Sequence, residues 1–463
     1  MNATGGNVVH RQRALATSGT LFLALLPCTS NAAAQTYATL YSFAATANDG
    51  GLPTAPLVAD TAGVLYGTTQ SGGGTSYYGT VFSLTPPQSP GGAWTEAVLY
   101  AFAGGSDGEY PSGLVIGSGP SGPVLYGATN FGGNSGGSQC EGVSCGTVFS
   151  LTPPASPGGS WTKTILYNFM GGSDGAFPLG TLAIGRGVLY GTTSKGGIGH
   201  GTACASPGCG TVYSLTPPSS PDGTWTETVL YTFAALAEGA APQAGVVIGK
   251  DGVLFGTTLS GGPGTCGACA GTVFALYPPA SPGGPWPKKT LYTFQGPPTD
   301  GEGPSAALVI GAGGVLYGTT SYGGRDCELC GTVYSLTPPA SPEGAWTEAV
   351  LHTFPSPAQS FYNGYPGVVI GAGGALYGTS TIGGSATNST CWVAGSCGTV
   401  FSLTPPAGDS GSWTGKVLHN FAGPPTDGDN PYANVVMGKD GVLFGTTWAG
   451  GASNAGTVFA LQP

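Results

Sequence analysis

The sequence is poor in charge. Only 7% of its 463 residues are Asp, Glu, Lys or Arg, and it holds 4 histidines. Cations are the scarcer sign, with 11 Lys+Arg against 21 Asp+Glu. A chain this short of positive charge lacks the footprint needed for nucleic acid or an anionic membrane surface. Long apolar runs are missing too. The run from about Leu21 to Leu26 is far below the ~20 residues that span a bilayer, and no later segment reads as a membrane helix. No window holds a 3.6-residue apolar period over helix length, which excludes helical repeats. H-E-x-x-H, G-x-x-x-x-G-K-[ST] and a G-x-S-x-G in strand–turn–helix context are all absent, so no familiar zinc, P-loop or serine-hydrolase motif is present.

The N-terminus reads as a secretory signal. His10, Arg11 and Arg13 precede the apolar run, and Ala32-Ala33-Ala34 closes it. That order of basic, apolar and small residues predicts cleavage near Ala34. Cys28 follows Leu-Leu-Pro, a poor match to a lipoprotein box. The expected mature chain, 35–463, keeps 9 cations against 21 acids, a net charge of −12. It is expected to be secreted, extracellular or periplasmic, and monomeric.

What the chain has in plenty is Gly, 87 residues, and Pro, 39. Without pattern they would suggest disorder. Here they separate regular Val/Leu/Ile/Tyr/Phe runs. Gly63-Val64-Leu65-Tyr66-Gly67-Thr68-Thr69 returns six more times, centred on Gly127, Gly191, Gly256, Gly318, Gly378 and Gly445, at intervals of 60 to 67 residues. A fixed period over most of a chain marks an array.

The second repeat shows the unit. Leu114 to Gly117 is a short inner strand a, and Val124 to Thr129 is strand b. A Gly-rich loop leads to strand c, Gly146 to Leu151, rich in the β-branched and aromatic residues that suit strands. Pro153-Pro154-Ala155-Ser156-Pro157-Gly158-Gly159 turns the chain into the alternating strand d, Trp161 to Phe169. Four strands per ~60 residues, seven times, predict an all-β, seven-bladed β-propeller, because solenoid repeats are shorter. The mature chain opens with Thr39 to Phe43, which matches a d strand, and closes on Gly456 to Leu461, a c strand with no d after it. The N-terminal strand is therefore expected to complete the last blade and remove an open edge.

Leu-Tyr-Gly-Thr-Thr, Gly-Gly, Gly-Thr-Val-Phe-Ser-Leu and Leu-Tyr-x-Phe together resemble the GloVer (choice-of-anchor) tandem repeat of exported bacterial proteins. The resemblance spans about Tyr37 to Gln462. It implies a secreted, propeller-like protein and names no chemistry. Members often carry a C-terminal sorting anchor. None follows the last repeat here, so release, or retention by a partner, is the expectation.

Alternating strand direction puts the a–b and c–d turns on one face and the b–c loops and d–a connections on the other. The first face repeats one turn; the second holds most of the variation, and variable loops on a rigid scaffold carry function. Five close cysteine pairs lie in b–c loops: Cys140/Cys145, Cys204/Cys209, Cys266/Cys269, Cys327/Cys330 and Cys391/Cys397. In an exported chain they read as disulfides. A metal or redox role for the two C-x-x-C pairs is the rival, but a zinc tetrahedron needs four ligands and no histidine lies near. No metal or cofactor is expected.

The d–a connections carry Asp49, Asp107, Asp174, Glu238, Asp300, Asn363 and Asp427, each followed by Gly. Six carboxylates on one face suggest either turn chemistry or an acid ring able to bind a cation or act on a sugar. Their regular repetition favours turns. His352 and His419 occupy the tyrosine slot of Leu-Tyr-x-Phe and read as structural. Departures from the repeat on the loop face are the ligand-binding candidates: Lys195 and His200, Arg325, Asp326 and Glu328, and Trp392 and Trp448. The function expected is a binding or interaction module for a glycan or another surface protein. An extracellular hydrolase or lyase using loop-face carboxylates, and a structural exoprotein, are the alternatives.

Overall fold

The computed structural model describes residues 35–463 apart from 75–76, 90, 135–139, 141–142, 157, 198–203, 205–207, 221–222, 263–269, 326–329, 342–343, 355–365, 385–390, 392–394 and 409–410. The expected signal, 1–34, lies outside the described residues.

Seven antiparallel sheets form the blades of a β-propeller, each with four principal strands in the order a-b-c-d from the axis outward. Blade 1 is Val58–Ala59, Leu65–Thr69, Thr80–Thr85 and Thr95–Ala101. Blade 2 is Val115–Gly119, Gly122–Phe131, Thr147–Thr152 and Thr162–Asn168. Blade 3 is Ala183–Gly185, Val188–Thr193, Thr211–Thr216 and Thr226–Thr232. Blade 4 is Val247–Ile248, Leu254–Thr258, Thr272–Leu276 and Lys288–Thr293. Blade 5 is Val309–Ile310, Leu316–Thr320, Thr332–Thr337 and Thr347–Thr353. Blade 6 is Val368–Ile370, Leu376–Ser380, Thr399–Thr404 and Thr414–Asn420. Blade 7 is Val436–Met437, Leu443–Thr447, Thr457–Gln462 and the N-terminal Thr36–Ser42.

The closure is the one the repeat implies. Thr36 pairs with Gln462 and Ser42 with Thr457, and the Phe43 amide donates to the Gly456 carbonyl at 2.9 Å. Strand a is shorter than its apolar run suggests, only two or three residues outside blade 2. In blades 4 to 7 the chain leaves it through a tight turn, such as Lys250–Gly252 or Ala312–Gly314, that interrupts the ladder.

Each letter of the repeat has a contact. The central glycine of strand b lies under the aromatic ring of strand c: Gly67 pairs with Phe82, and a Cβ there would come within 2.6 Å of that ring and 2.8 Å of Leu57. The last threonine of strand b bonds the first of strand c, as in Thr69–Thr80, Thr129–Thr147 and Thr193–Thr211, all 2.8 Å between oxygens and buried. The Gly of the Asp-Gly pair packs on that same threonine; a Cβ on Gly108 would meet Thr129 Oγ1 at 2.7 Å, and its φ of +97° suits glycine. The tyrosine or phenylalanine of strand b receives the tryptophan that opens strand d of the next blade, with Trp161 on Tyr66, Trp225 on Tyr126 and Trp413 on Tyr317. The core is thus distributed along the seams between blades, where Phe82, Phe149, Tyr213, Phe274 and Tyr334 are wholly buried.

Candidate binding cavity at the propeller axis

Two recurring hydrogen bonds fix the inner ends of the blades. The first threonine of Gly-Thr-Thr donates across the seam to the chain entering the next strand a. Thr68 reaches the Ser112 carbonyl at 3.0 Å, Thr192 that of Ala244 at 2.8 Å, and Thr379 that of Ala433 at 2.8 Å. The second bond belongs to the residue before the proline of each d–a connection. Leu52, Tyr110, Phe177, Ala241 and Asn430 all take φ between 53° and 58°, a left-handed backbone rare outside glycine; Gly303 fills this place in blade 5 with φ +68°. Each donates its amide to the preceding blade, at the residue just before Gly-Thr-Val. The acceptor is Ala455 for Leu52, Tyr78 for Tyr110, Cys145 for Phe177 and Cys209 for Ala241. Such strain costs ~1–3 kcal/mol per residue and persists only where the surroundings hold it.

The connections so held surround a cavity of about 470 Å³. Its wall is residues 54–56, 110–113, 179–181, 243–245, 305–307, 366 and 432–434, one group per blade, with Gln70, Asn130 and Phe131 from the ends of strand b. Among the described residues that line it there is no Asp, Glu, Lys, Arg or His. Its polar side chains are the amides Gln70, Asn130, Gln243 and Asn434 and the hydroxyl residues Thr54, Tyr110, Ser112, Thr181, Ser305 and Tyr432. The aromatic groups are Tyr110, Phe131 and Tyr432. These residues follow directly on Gly-Thr-Thr or lead into strand a. The repeat hides them, because the position recurs while the side chain changes from blade to blade.

The six loop-face acids lie elsewhere, at the outer seams. Each caps the backbone beyond strand d and takes a bond from that strand's tyrosine or histidine. Asp107 accepts from the Ala103 amide at 2.8 Å and the Tyr100 hydroxyl at 2.7 Å. Asp174 accepts from Met170 and Tyr167, Glu238 from Ala234 and Tyr231, and Asp300 from Gln295 and Tyr292. Asp49 accepts from Ala44 and Gly50. Asp427 accepts from Ala422, faces His419 Nε2 at 3.0 Å and takes the Tyr37 hydroxyl at 2.6 Å. His419 also stacks on Tyr37, with centroids 3.6 Å apart.

Asp427 meets Tyr37 of the closing strand across its seam; for the other five acids the residue met lies in the next d strand, two after the tryptophan. That residue is Lys163 for Asp107, 2.7 Å away, and Lys288 for Glu238. Burial alone would raise the Asp107 carboxyl, but the bonds from Lys163, Ala103 and Tyr100 outweigh it and hold the group below the usual range. In three other seams the residue is a second acid. Burial first, and then the neighbouring Asp49, Asp174 or Asp300, pushes Glu96, Glu227 and Glu348 up to about 7.

The cysteines are joined within single loops where described: Cys140–Cys145, Cys204–Cys209 and Cys391–Cys397. Cys330 is also disulfide-bonded; Cys266, Cys269 and Cys327 lie outside the described residues. Asp429 stands within 4.8 Å of both sulfurs of Cys391–Cys397, which are engaged with each other.

Of the remaining candidates, Trp448 is half-buried, with its ring edge-on to the cavity residue Tyr432 at 5.9 Å. Lys195 bridges Ala176 and holds its ammonium 5.6 Å over Phe177. The Arg325 amide donates to Thr353 Oγ1 at 3.4 Å. Trp392, Asp326, Glu328, His200 and Asn363 lie outside the described residues. Trp448 thus adjoins the cavity wall, while the acids do not line it.

The chain is a seven-bladed β-propeller made from one tandem repeat and closed by its own N-terminal strand. It belongs to the Gloeobacter/Verrucomicrobia repeat family, whose pattern matches residues 14–204 and 202–393. A comparison with curated protein sequences finds no match. Among solved structures, PorZ, a surface component of the type-IX secretion system of Porphyromonas gingivalis, aligns at 13% identity and TM-score 0.46 over 88% of this chain and 46% of its own. The chain thus spans about half the length of PorZ. An α-L-arabinanase of Penicillium chrysogenum complexed with arabinobiose aligns at 14% identity and TM-score 0.41, covering 92% of this chain and 97% of its own. The periplasmic gluconolactonase PpgL of Pseudomonas aeruginosa aligns at 16% and 0.42, covering 84% and 92%. Nothing about ligand or activity follows from likeness at that level. No helix among the described residues is long and apolar enough to cross a membrane.

Proposed function

We propose that the chain is an exported binding module that takes its ligand, a glycan or a surface protein, in the axial cavity on the face of the b–c loops and d–a connections. The observation that carries this reading is the cavity wall: about 470 Å³ of space edged by amides, hydroxyls and aromatic rings. Its volume falls in the ~300–1,000 Å³ range of small-ligand sites. Strained connections tied to neighbouring blades hold the wall in place, which lowers the ordering cost of binding. Trp448 supports the rim through Tyr432, and Lys195 and Arg325 are assigned to the outer loop face. Segment 1–34 serves as the export signal, and the folded unit 35–463 acts as a monomer.

A hydrolase reading needs a carboxylate pair at the substrate. The six loop-face acids are instead committed to backbone caps and tyrosines at the outer seams, so the binding reading is preferred. The test is a glycan-array and surface-protein capture screen on residues 35–463, run beside a polysaccharide-hydrolysis screen. Gln243→Trp, which fills the cavity, is expected to reduce capture at least tenfold. Capture indifferent to that substitution, or turnover of any polysaccharide, would sink the reading.

A further inference from the structure

We propose that the axial cavity takes an uncharged oligosaccharide, seated with its sugar faces against the aromatic side of the wall formed by blades 7, 1 and 2. This rests on the reading of the cavity as the ligand site and adds the ligand's chemical class and orientation.

The first argument is charge. The described wall has no Asp, Glu, Lys, Arg or His, so it offers no counter-ion. An ionic ligand entering it would lose hydration without compensation, at a cost of several kcal/mol. Uronates, sialylated or sulfated chains, nucleotides and charged peptide side chains are disfavoured on that ground alone.

The second argument is the kind of polar group. Gln70, Gln243 and Asn434 each carry a donor and an acceptor on one side chain, and Asn130 also lines the wall, with its Oδ1 buried. A sugar hydroxyl is itself both donor and acceptor, so paired amides match it. An apolar ligand would leave the Gln70, Gln243 and Asn434 amides desolvated and unpaired.

The third is the asymmetry of the aromatic groups. Tyr432 of blade 7, backed by Trp448 at 5.9 Å, stands on one side. Tyr110 and Phe131 of blade 2 stand on the other, 5.9 Å apart and nearly perpendicular. From Tyr110 the row continues outward to Tyr78 in the blade 1 loop at 6.5 Å, and from Phe131 to Phe177 at 5.4 Å. Among the described residues that line the cavity, blades 3 to 6 contribute no aromatic ring; their side chains include Leu179, Thr181, Gln243, Ser305 and Pro366. An aromatic row leading out of a neutral cavity suits a chain of sugar rings, each with one apolar C–H face and a rim of hydroxyls. Tyr110 is the exposed ring of this row, at 38%. Its left-handed backbone, bonded to Tyr78, holds it there. At the same place in the repeat Leu52, Ala241, Gly303 and Asn430 carry no ring, and Phe177 is buried.

The test is calorimetric titration of residues 35–463 with neutral di- to hexasaccharides of glucose, mannose, xylose, galactose and arabinose, against galacturonate and sialylated chains of the same lengths. Saturable binding of at least one neutral series, tightening with length, is expected, with no binding of the acidic ones. Tyr110→Gly is the decisive variant, because glycine occupies this position in blade 5 and tolerates the backbone. It is expected to keep the thermal midpoint and to weaken neutral binding about tenfold, with Tyr432→Ala weakening it similarly. If acidic chains bind instead, and Tyr110→Gly weakens them, the neutral-ligand inference falls while the cavity reading stands. If neutral chains bind and neither variant affects them, the cavity reading falls too. If no saccharide binds, the inference is overturned.

Discussion

The backbone amide of Phe177 donates to the carbonyl of Cys145 at 2.9 Å. Phe177, with left-handed backbone, lies in the connection that leads to the inner strand of blade 3, and Cys145 is the disulfide-bonded end of a blade 2 loop. The same relation joins Ala241 to Cys209 and Asn430 to Cys397. The disulfides therefore fasten the loop ends that clasp the next blade.

Losing one such link is expected to act on the seam. On the chain-entropy model a loop this short contributes about 2 kcal/mol. Cys140→Ala with Cys145→Ala should lower the thermal midpoint by a few degrees and speed hydrogen exchange at the Phe177 amide. Non-reducing peptide mapping should find every link within one repeat, Cys266/Cys269 and Cys327/Cys330 included. A link between repeats, or an unchanged Phe177 amide, would refute the assignment.

The acid–acid seams make stability depend on pH. Glu96 faces Asp49 and Tyr41, Glu227 faces Asp174, Tyr167 and Tyr213, and Glu348 faces Asp300, Tyr292 and Tyr334. Each glutamate is raised from 4.5 to about 7 on folding. The folded state thus holds protons that the unfolded state releases. The stabilisation is full below about 4.5 and lost as pH rises through about 7. The thermal midpoint should fall between pH 5 and pH 8. The triple variant Glu96→Gln, Glu227→Gln, Glu348→Gln should flatten that fall and be the more stable protein at pH 8. Parallel pH profiles for the two proteins would contradict this.

The seam threonines provide an internal comparison. Thr192 Oγ1 donates to the Ala244 carbonyl at 2.8 Å, whereas Thr446 Oγ1, at the same place in blade 7, is buried without a hydrogen-bond partner among the described residues. Removing a made bond costs about 1 kcal/mol, and removing an unsatisfied buried hydroxyl costs nothing or stabilises. Denaturant midpoints should therefore drop for Thr192→Val and hold or rise for Thr446→Val. Equal losses in both would show that the bond does not matter.

Strands b, c and d could be read from the chain because β-branched and aromatic runs there serve a buried ladder repeated seven times. The closing strand was legible for the same reason, since Leu40-Tyr41-Ser42-Phe43 repeats a d strand out of place. Strand a of the second repeat, expected at Leu114 to Gly117, is Val115–Gly119 in the structure; in blades 4 and 5 it keeps only two residues, because a tight turn, Lys250–Gly252 or Ala312–Gly314, follows almost at once. The acids were visible as turn residues, but their partners Lys163, Glu96 and Tyr37 were not. Those contacts cross a seam between blades, which spacing within one repeat cannot show. The cavity was hidden most deeply. Gln70, Tyr110, Gln243 and Asn434 are far apart in the chain, dissimilar in type, and meet only because seven connections converge on one axis.

Hydrogen exchange of residues 35–463, with and without the tightest-binding oligosaccharide of the titration panel, tests the central claim most directly. Protection at 110–113, 179–181, 243–245 and 432–434, with the c–d turns such as 153–159 unchanged, is the predicted result. Protection at those turns, with the axial connections unaffected, would place the ligand on the opposite face and contradict the account.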